Sequence, residues 1–89
     1  MVEKNFTAEE LEQIAELREL FVGGAAKELR EVAGVSRFKV ATLVPCDPSA
    51  VMRWESASRV PRPEVALRLA VIYRDLAARA AELVEQRVK

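Results

Sequence analysis

The chain has 89 residues, 51% hydrophobic and 31% charged, with fourteen acidic side chains balanced by fourteen basic ones, a single cysteine and no histidine. This is the composition of one globular domain with a modest core, and it excludes a disulfide framework, the usual zinc sites and every histidine-based catalytic arrangement. No stretch reaches the ~20 apolar residues that span a bilayer and the amino terminus has no apolar run, so a cytoplasmic protein without a membrane partner is expected.

In chain order, Thr7-Ala8-Glu9-Glu10 forms a capping box that opens a helix ending near Phe21. Leu11, Ile14, Leu17 and Phe21 make its apolar stripe, and Glu9, Glu12, Glu16 and Glu19 its acidic face. Val22-Gly23-Gly24 breaks it. A short helix over about 25–33 follows, ended by Gly34 as a left-handed cap. Ser36 is the expected N-cap of a third helix, 37–43, which turns Val40, Leu43 and Val44 toward the core before Pro45 halts it. At Asp47-Pro48 the chain re-enters helix. The residue before a proline is pushed into the extended conformation of an N-cap, and proline suits the first helical position, so a fourth helix spans 48–55. Residues 56–61 read as loop. From Pro63-Glu64 a last helix, with Val65, Leu69, Ile72, Leu76 and Leu83 in three-four spacing, runs unbroken to Val88. No strand signal, repeat or low-complexity tract appears. The expected fold class is all-α: a compact bundle of about five helices in a single domain over 1–89, ending in a long C-terminal helix.

Net neutrality conceals an asymmetry. Residues 1–36 carry eight acids and four bases, net −4, whereas residues 37–63 carry Asp47 and Glu55 against Arg37, Lys39, Arg53, Arg59 and Arg62, net +3. A polyanion would meet the middle of the chain. Two short helices, 37–43 and 48–55, joined by a tight turn and followed by a basic loop, describe a helix-turn-helix whose second helix enters the major groove.

The segment LREVAGVSRFKVATLVPCDPSAVMRWESASRVPRPEVALRLAVIY resembles the phage-repressor and Cro-type (XRE-like) helix-turn-helix family over about residues 25–76. Arg30 four before Gly34, Ser36 at a helix start, Val40-Ala41 on the inner face, Val51, Arg53-Trp54-Glu55 and the later proline fall where that family places them. The helix over 7–22 is then an addition, and 77–89 a C-terminal extension. The resemblance implies an Arg30–Glu55 structural pair tying the preceding helix to the recognition helix, and a phosphate contact at Arg37. It also exposes two departures: Pro45 stands where the family usually has glycine, and Pro48 replaces a polar residue that often contacts bases.

The residues themselves carry part of this reading. Ala41 is small where two helices must approach, and Val51 and Trp54, three apart, point together into the core, the alternative for Trp54 being base stacking. The outer face of the second helix, Ser49, Ala50, Met52 and Arg53, holds the candidate base readers: Arg53 for guanine O6 and N7, the apolar groups for a thymine methyl. Lys39, Ser58, Arg59 and Arg62 join Arg37 as candidate DNA-backbone contacts. Cys46 reads as a small apolar residue, with redox sensing as its alternative. Leu76, Ala80, Leu83 and Val84 outlast the needs of one core and suggest a dimer seam, the alternative being a helix folded back on that core.

The expected function is a sequence-specific DNA-binding transcriptional regulator, bacterial or phage-encoded, occupying double-stranded operator DNA as a homodimer. It has no cofactor, no metal and no enzymatic constellation. The rival is a protein-interaction module such as an antitoxin or anti-repressor, using the acidic first helix or the last helix.

Overall fold

The computed structural model describes residues 5–88, with side chains through Arg87. The side chain of Val88, where the last helix is expected to end, lies outside the described residues. Five helices follow in order: α1 (Ala8–Val22), α2 (Ala25–Val32), α3 (Arg37–Leu43), α4 (Pro48–Glu55) and α5 (Pro63–Val88). No strand occurs among the described residues.

Local chemistry sets the boundaries. The Glu10 amide donates to Thr7 Oγ1 at 3.0 Å and the Thr7 amide to Glu10 Oε1 at 2.9 Å, closing the capping box of α1. Ser36 Oγ accepts from the Lys39 amide at 3.0 Å and the Asp47 carboxylate from the Ser49 amide at 2.9 Å, capping α3 and α4. Gly34 follows α2 at φ +72°, a conformation that costs an L side chain roughly 1–2 kcal/mol. There the Val35 amide turns back to the Arg30 carbonyl at 3.0 Å.

α5 is the spine. At about 1.5 Å per residue its 26 residues extend roughly 39 Å, most of the 54 Å long axis of the molecule. α1 and α2 pack along it, α3 packs on α4, and α4 reaches back to α1. One core unites them: Ile14, Leu17 and Phe21 from α1, Val40 and Val44 from around α3, Val51 and Trp54 from α4, and Ala66, Leu69, Tyr73 and Leu76 from α5. Phe21 stands edge-on to both Trp54, at 6.1 Å between centroids, and Tyr73, at 5.1 Å. Trp54 is therefore a packing residue.

Two stripe positions differ from the sequence expectation. Leu11 and Leu43 are 55% and 49% exposed. Leu11 sits in the first turn of α1 and Leu43 is the last residue of α3, where the periodic face continues past the edge of the core. Tyr73, which the three-four reading of α5 passed over, is among the largest fully buried side chains.

Candidate nucleic-acid interface

The turn between α3 and α4 is built without a left-handed residue: the positive-φ positions among the described residues are Gly24, Gly34 and Ala57. Val44, which precedes Pro45, leaves the helical region at φ −116°, ψ 86°, as the ring of a following proline demands. The Cys46 amide then closes the turn on the Ala41 carbonyl at 3.1 Å. Cys46 is half-buried against the core, and burial followed by the charge of Asp47 pushes its thiol above the ordinary value, away from the reactive thiolate.

α4 buries Val51 and Trp54 and turns Met52, 50% exposed, and Arg53 to solvent, with Ser49 half-buried in the first turn. Ala50, half-buried, packs against the core on the side of α4 that faces the start of α5. On that side lies a cleft of about 250 Å³ whose three charged lining residues are all arginines: Arg53 from α4, and Arg59 and Arg62 from the loop that follows. One sign of charge is concentrated there on three exposed side chains. Lys39 is exposed on α3. Phe38, which the sequence reading did not single out, is 71% exposed on the same short helix and lines an apolar cleft with Pro45 and Pro48.

Behind α4 the charges are locked. Arg30 Nε donates to Glu55 Oε2 at 2.6 Å and Arg30 Nη2 to Glu55 Oε1 at 3.1 Å, while Arg30 Nη1 donates to the Val35 carbonyl at 2.9 Å. Arg37 Nε adds a bond to Glu55 Oε1 at 2.9 Å. The side chains of Arg30 and Glu55 are only 9% and 2% exposed. Burial pushes the Glu55 carboxyl up, but the bonds from Arg30 and Arg37 outweigh it and hold the group below the ordinary carboxylate range. The Glu55 bond in turn raises Arg30 further. Arg37, expected as a plain phosphate contact, is thus also a member of this clamp, with its side chain 40% exposed. Tyr73 lies in the same field, and burial raises its phenol well above the ordinary value.

The loop after α4 is fixed from both ends. Ala57 adopts φ +60°, and the Ser58 amide returns to the Arg53 carbonyl at 3.0 Å. The exposed Ser58 hydroxyl donates to that same carbonyl at 3.2 Å and so helps to cap α4. At the far end, Arg18 of α1 donates to the Pro61 carbonyl. No sequence signal points to Arg18, whose partner is 43 residues away.

The four residues expected at a dimer seam separate into two pairs. Leu76 and Ala80 are 7% and 5% exposed within the chain itself, because α1 and α2 already cover that face of α5. Leu83 is half-buried and Val84 is 49% exposed, beyond the last buried position.

No helix among the described residues is long and apolar enough to cross a membrane. Comparisons with curated proteins and with solved structures give no match. The helix-turn-helix domain family matches residues 22–85, from the last residue of α1 through most of α5. With the α3–turn–α4 geometry at the centre of that match, the chain belongs to the helix-turn-helix domain family, of the XRE-like type.

Proposed function

We propose that the protein is a non-catalytic, cytoplasmic transcriptional regulator of the phage-repressor and Cro type, which binds operator DNA through the major groove as a homodimer. The observation that carries this reading is the exposed face of α4, with Arg53 and Met52 outward, beside a cleft lined by Arg53, Arg59 and Arg62. In this reading Arg53 and Ser49 hydrogen-bond base edges and Ala50 or Met52 touches a thymine methyl. Lys39, Arg59 and Arg62 hold phosphates, with Arg37 contributing from the edge of its bond to Glu55. Arg30 and Glu55 keep α4 at a fixed angle to α2.

The experiment is a titration of the purified protein against a fragment of its own upstream DNA and against random DNA at several salt concentrations. Tighter binding to the upstream fragment, weakening with salt, supports the reading. No binding to either fragment overturns it in favour of a protein-interaction module. That second reading draws on the exposed acidic face of α1, Glu9, Glu12, Glu16 and Glu19.

A further inference from the structure

A groove of about 630 Å³ runs between α2 and the outer part of α5. Leu29 and Val32 of α2 and Ala77, Ala81 and Val84 of α5 give it apolar walls, and Glu28 of α2 and Glu85 of α5 line it as well. The last buried residue of α5 among the described residues is Ala80, yet the helix continues to Val88, so the groove runs on past the core along Ala81, Val84 and Glu85. An apolar trough of this kind is an unfinished packing layer.

The charges beside the trough indicate what completes it. Arg74, Ala78, Ala81 and Glu85 follow one another at four-three-four spacing and so share one stripe of α5. Arg74 and Glu85, both exposed, stand at equal distances on either side of the midpoint between residues 79 and 80. A two-fold axis through that midpoint sets Arg74 of each copy against Glu85 of the other. A parallel arrangement would oppose like charges instead. Ala77, Ala78 and Ala81 at the crossing let two helix backbones approach closely, and Leu29, Val32 and Val84 supply apolar area on both flanks.

We propose that the groove seats α5 of a second copy of this chain, antiparallel, so that α2 and α5 of both copies form a four-helix seam. The inference rests on the regulator being a homodimer and specifies its interface. The self-complementarity of Arg74 and Glu85 is what an isologous contact requires. A foreign helix or a small apolar ligand would have no use for a charge pair balanced about one point of α5. The seam also adjoins the reader, because α2 turns Leu29 into the groove and Arg30 toward Glu55.

The test is sedimentation equilibrium of the full chain at tens of micromolar, with melting curves to verify folding. Wild type should be a dimer, and Arg74→Glu or Glu85→Arg alone should weaken it by roughly tenfold or more, since like charges then meet twice. Mixing the two single variants should restore association, because each then offers the other an opposite charge, and the doubly exchanged chain should dimerise with itself. Folded single variants that remain dimers as strong as wild type would overturn the seam, as would a folded double variant that stays monomeric. A wild-type chain that is monomeric free and on DNA, yet still selects its upstream fragment, removes the dimer and leaves the DNA reading standing. A charge-reversible dimer that binds no DNA does the converse.

Discussion

Arg18 and Pro61, 43 residues apart, are joined by two hydrogen bonds in which Arg18 Nε and Nη2 donate to one carbonyl at 3.2 and 2.9 Å. The helix carrying Arg18 lies almost entirely ahead of the stretch that matches the family, yet it holds the loop from which Arg59 and Arg62 project. Arg18→Met keeps the aliphatic stem and removes the donors. It should lower stability by about 1–3 kcal/mol, because the carbonyl of the buried Pro61 loses a charged partner. It should also weaken DNA binding several-fold with an unchanged salt dependence, since no phosphate contact is deleted. Melting curves and DNA titrations at several salt concentrations measure both.

The clamp behind α4 predicts an acid limb. Glu55 is held below its ordinary value of 4.5, so the stability it contributes is fully present above the unfolded-state value and is lost as pH falls through the lower folded-state value. Wild type should therefore lose stability below about pH 4.5 in excess of Glu55→Gln, which no longer titrates there. At neutral pH, breaking this buried pair with Glu55→Leu should cost about 3–5 kcal/mol, and Arg30→Met with Glu55→Leu should cost much less than the sum of the two singles. Additive losses, or pH profiles that run parallel down to pH 3, would refute the clamp.

Reading and holding should fail differently on DNA. Arg53→Ala is expected to cost about 1–3 kcal/mol on the operator and to relax discrimination at one base pair, with random DNA much less affected. Arg59→Ala should weaken all sequences alike and lower the slope of log affinity against log salt by about 1. Arg37→Ala should do the same and also lower the melting temperature, because its guanidinium bonds Glu55. If Arg53→Ala loses operator and random DNA equally, specificity lies in Ser49, Met52 or DNA shape.

Ala57, at φ +60°, sits where a side chain is strained. Relief of about 1–2 kcal/mol by Ala57→Gly exceeds the roughly 0.5–1 kcal/mol of added backbone freedom in the unfolded chain. The variant should melt about 2–8 °C higher with unchanged affinity for DNA, as calorimetry and titration can verify.

What the sequence made legible was local. Thr7 with Glu10, Ser36, and Asp47 with Pro48 marked helix starts because each cap bond spans three residues or fewer. The positions of Val51 and Trp54 followed from spacing alone, since a helix face is fixed within one turn. Leu11 and Leu43 misled because periodicity gives the direction of a face and not where the covering layer stops. The burial of Leu76 and Ala80 within the chain could not be read from spacing, because it depends on α1 and α2 packing along α5. Arg18 was invisible because it bonds a backbone carbonyl, which carries no residue identity. The site divided along the same line. Arg53 on an outer face could be read from register, whereas the partial burial of Ala50 and the bond of Arg37 to Glu55 depend on neighbours distant in the chain.

The turn between α3 and α4 has one more consequence, which lies in the denatured chain. Pro45 and Pro48 bracket Cys46-Asp47, and neither position requires the left-handed conformation that proline forbids. Each ring removes backbone states from the unfolded ensemble, worth about 0.4–1 kcal/mol where the folded geometry accepts it without strain. The two helices of the motif are thus joined by a segment that has little freedom left to lose on folding, and glycine at position 45, the residue usual in this family, would add to that loss.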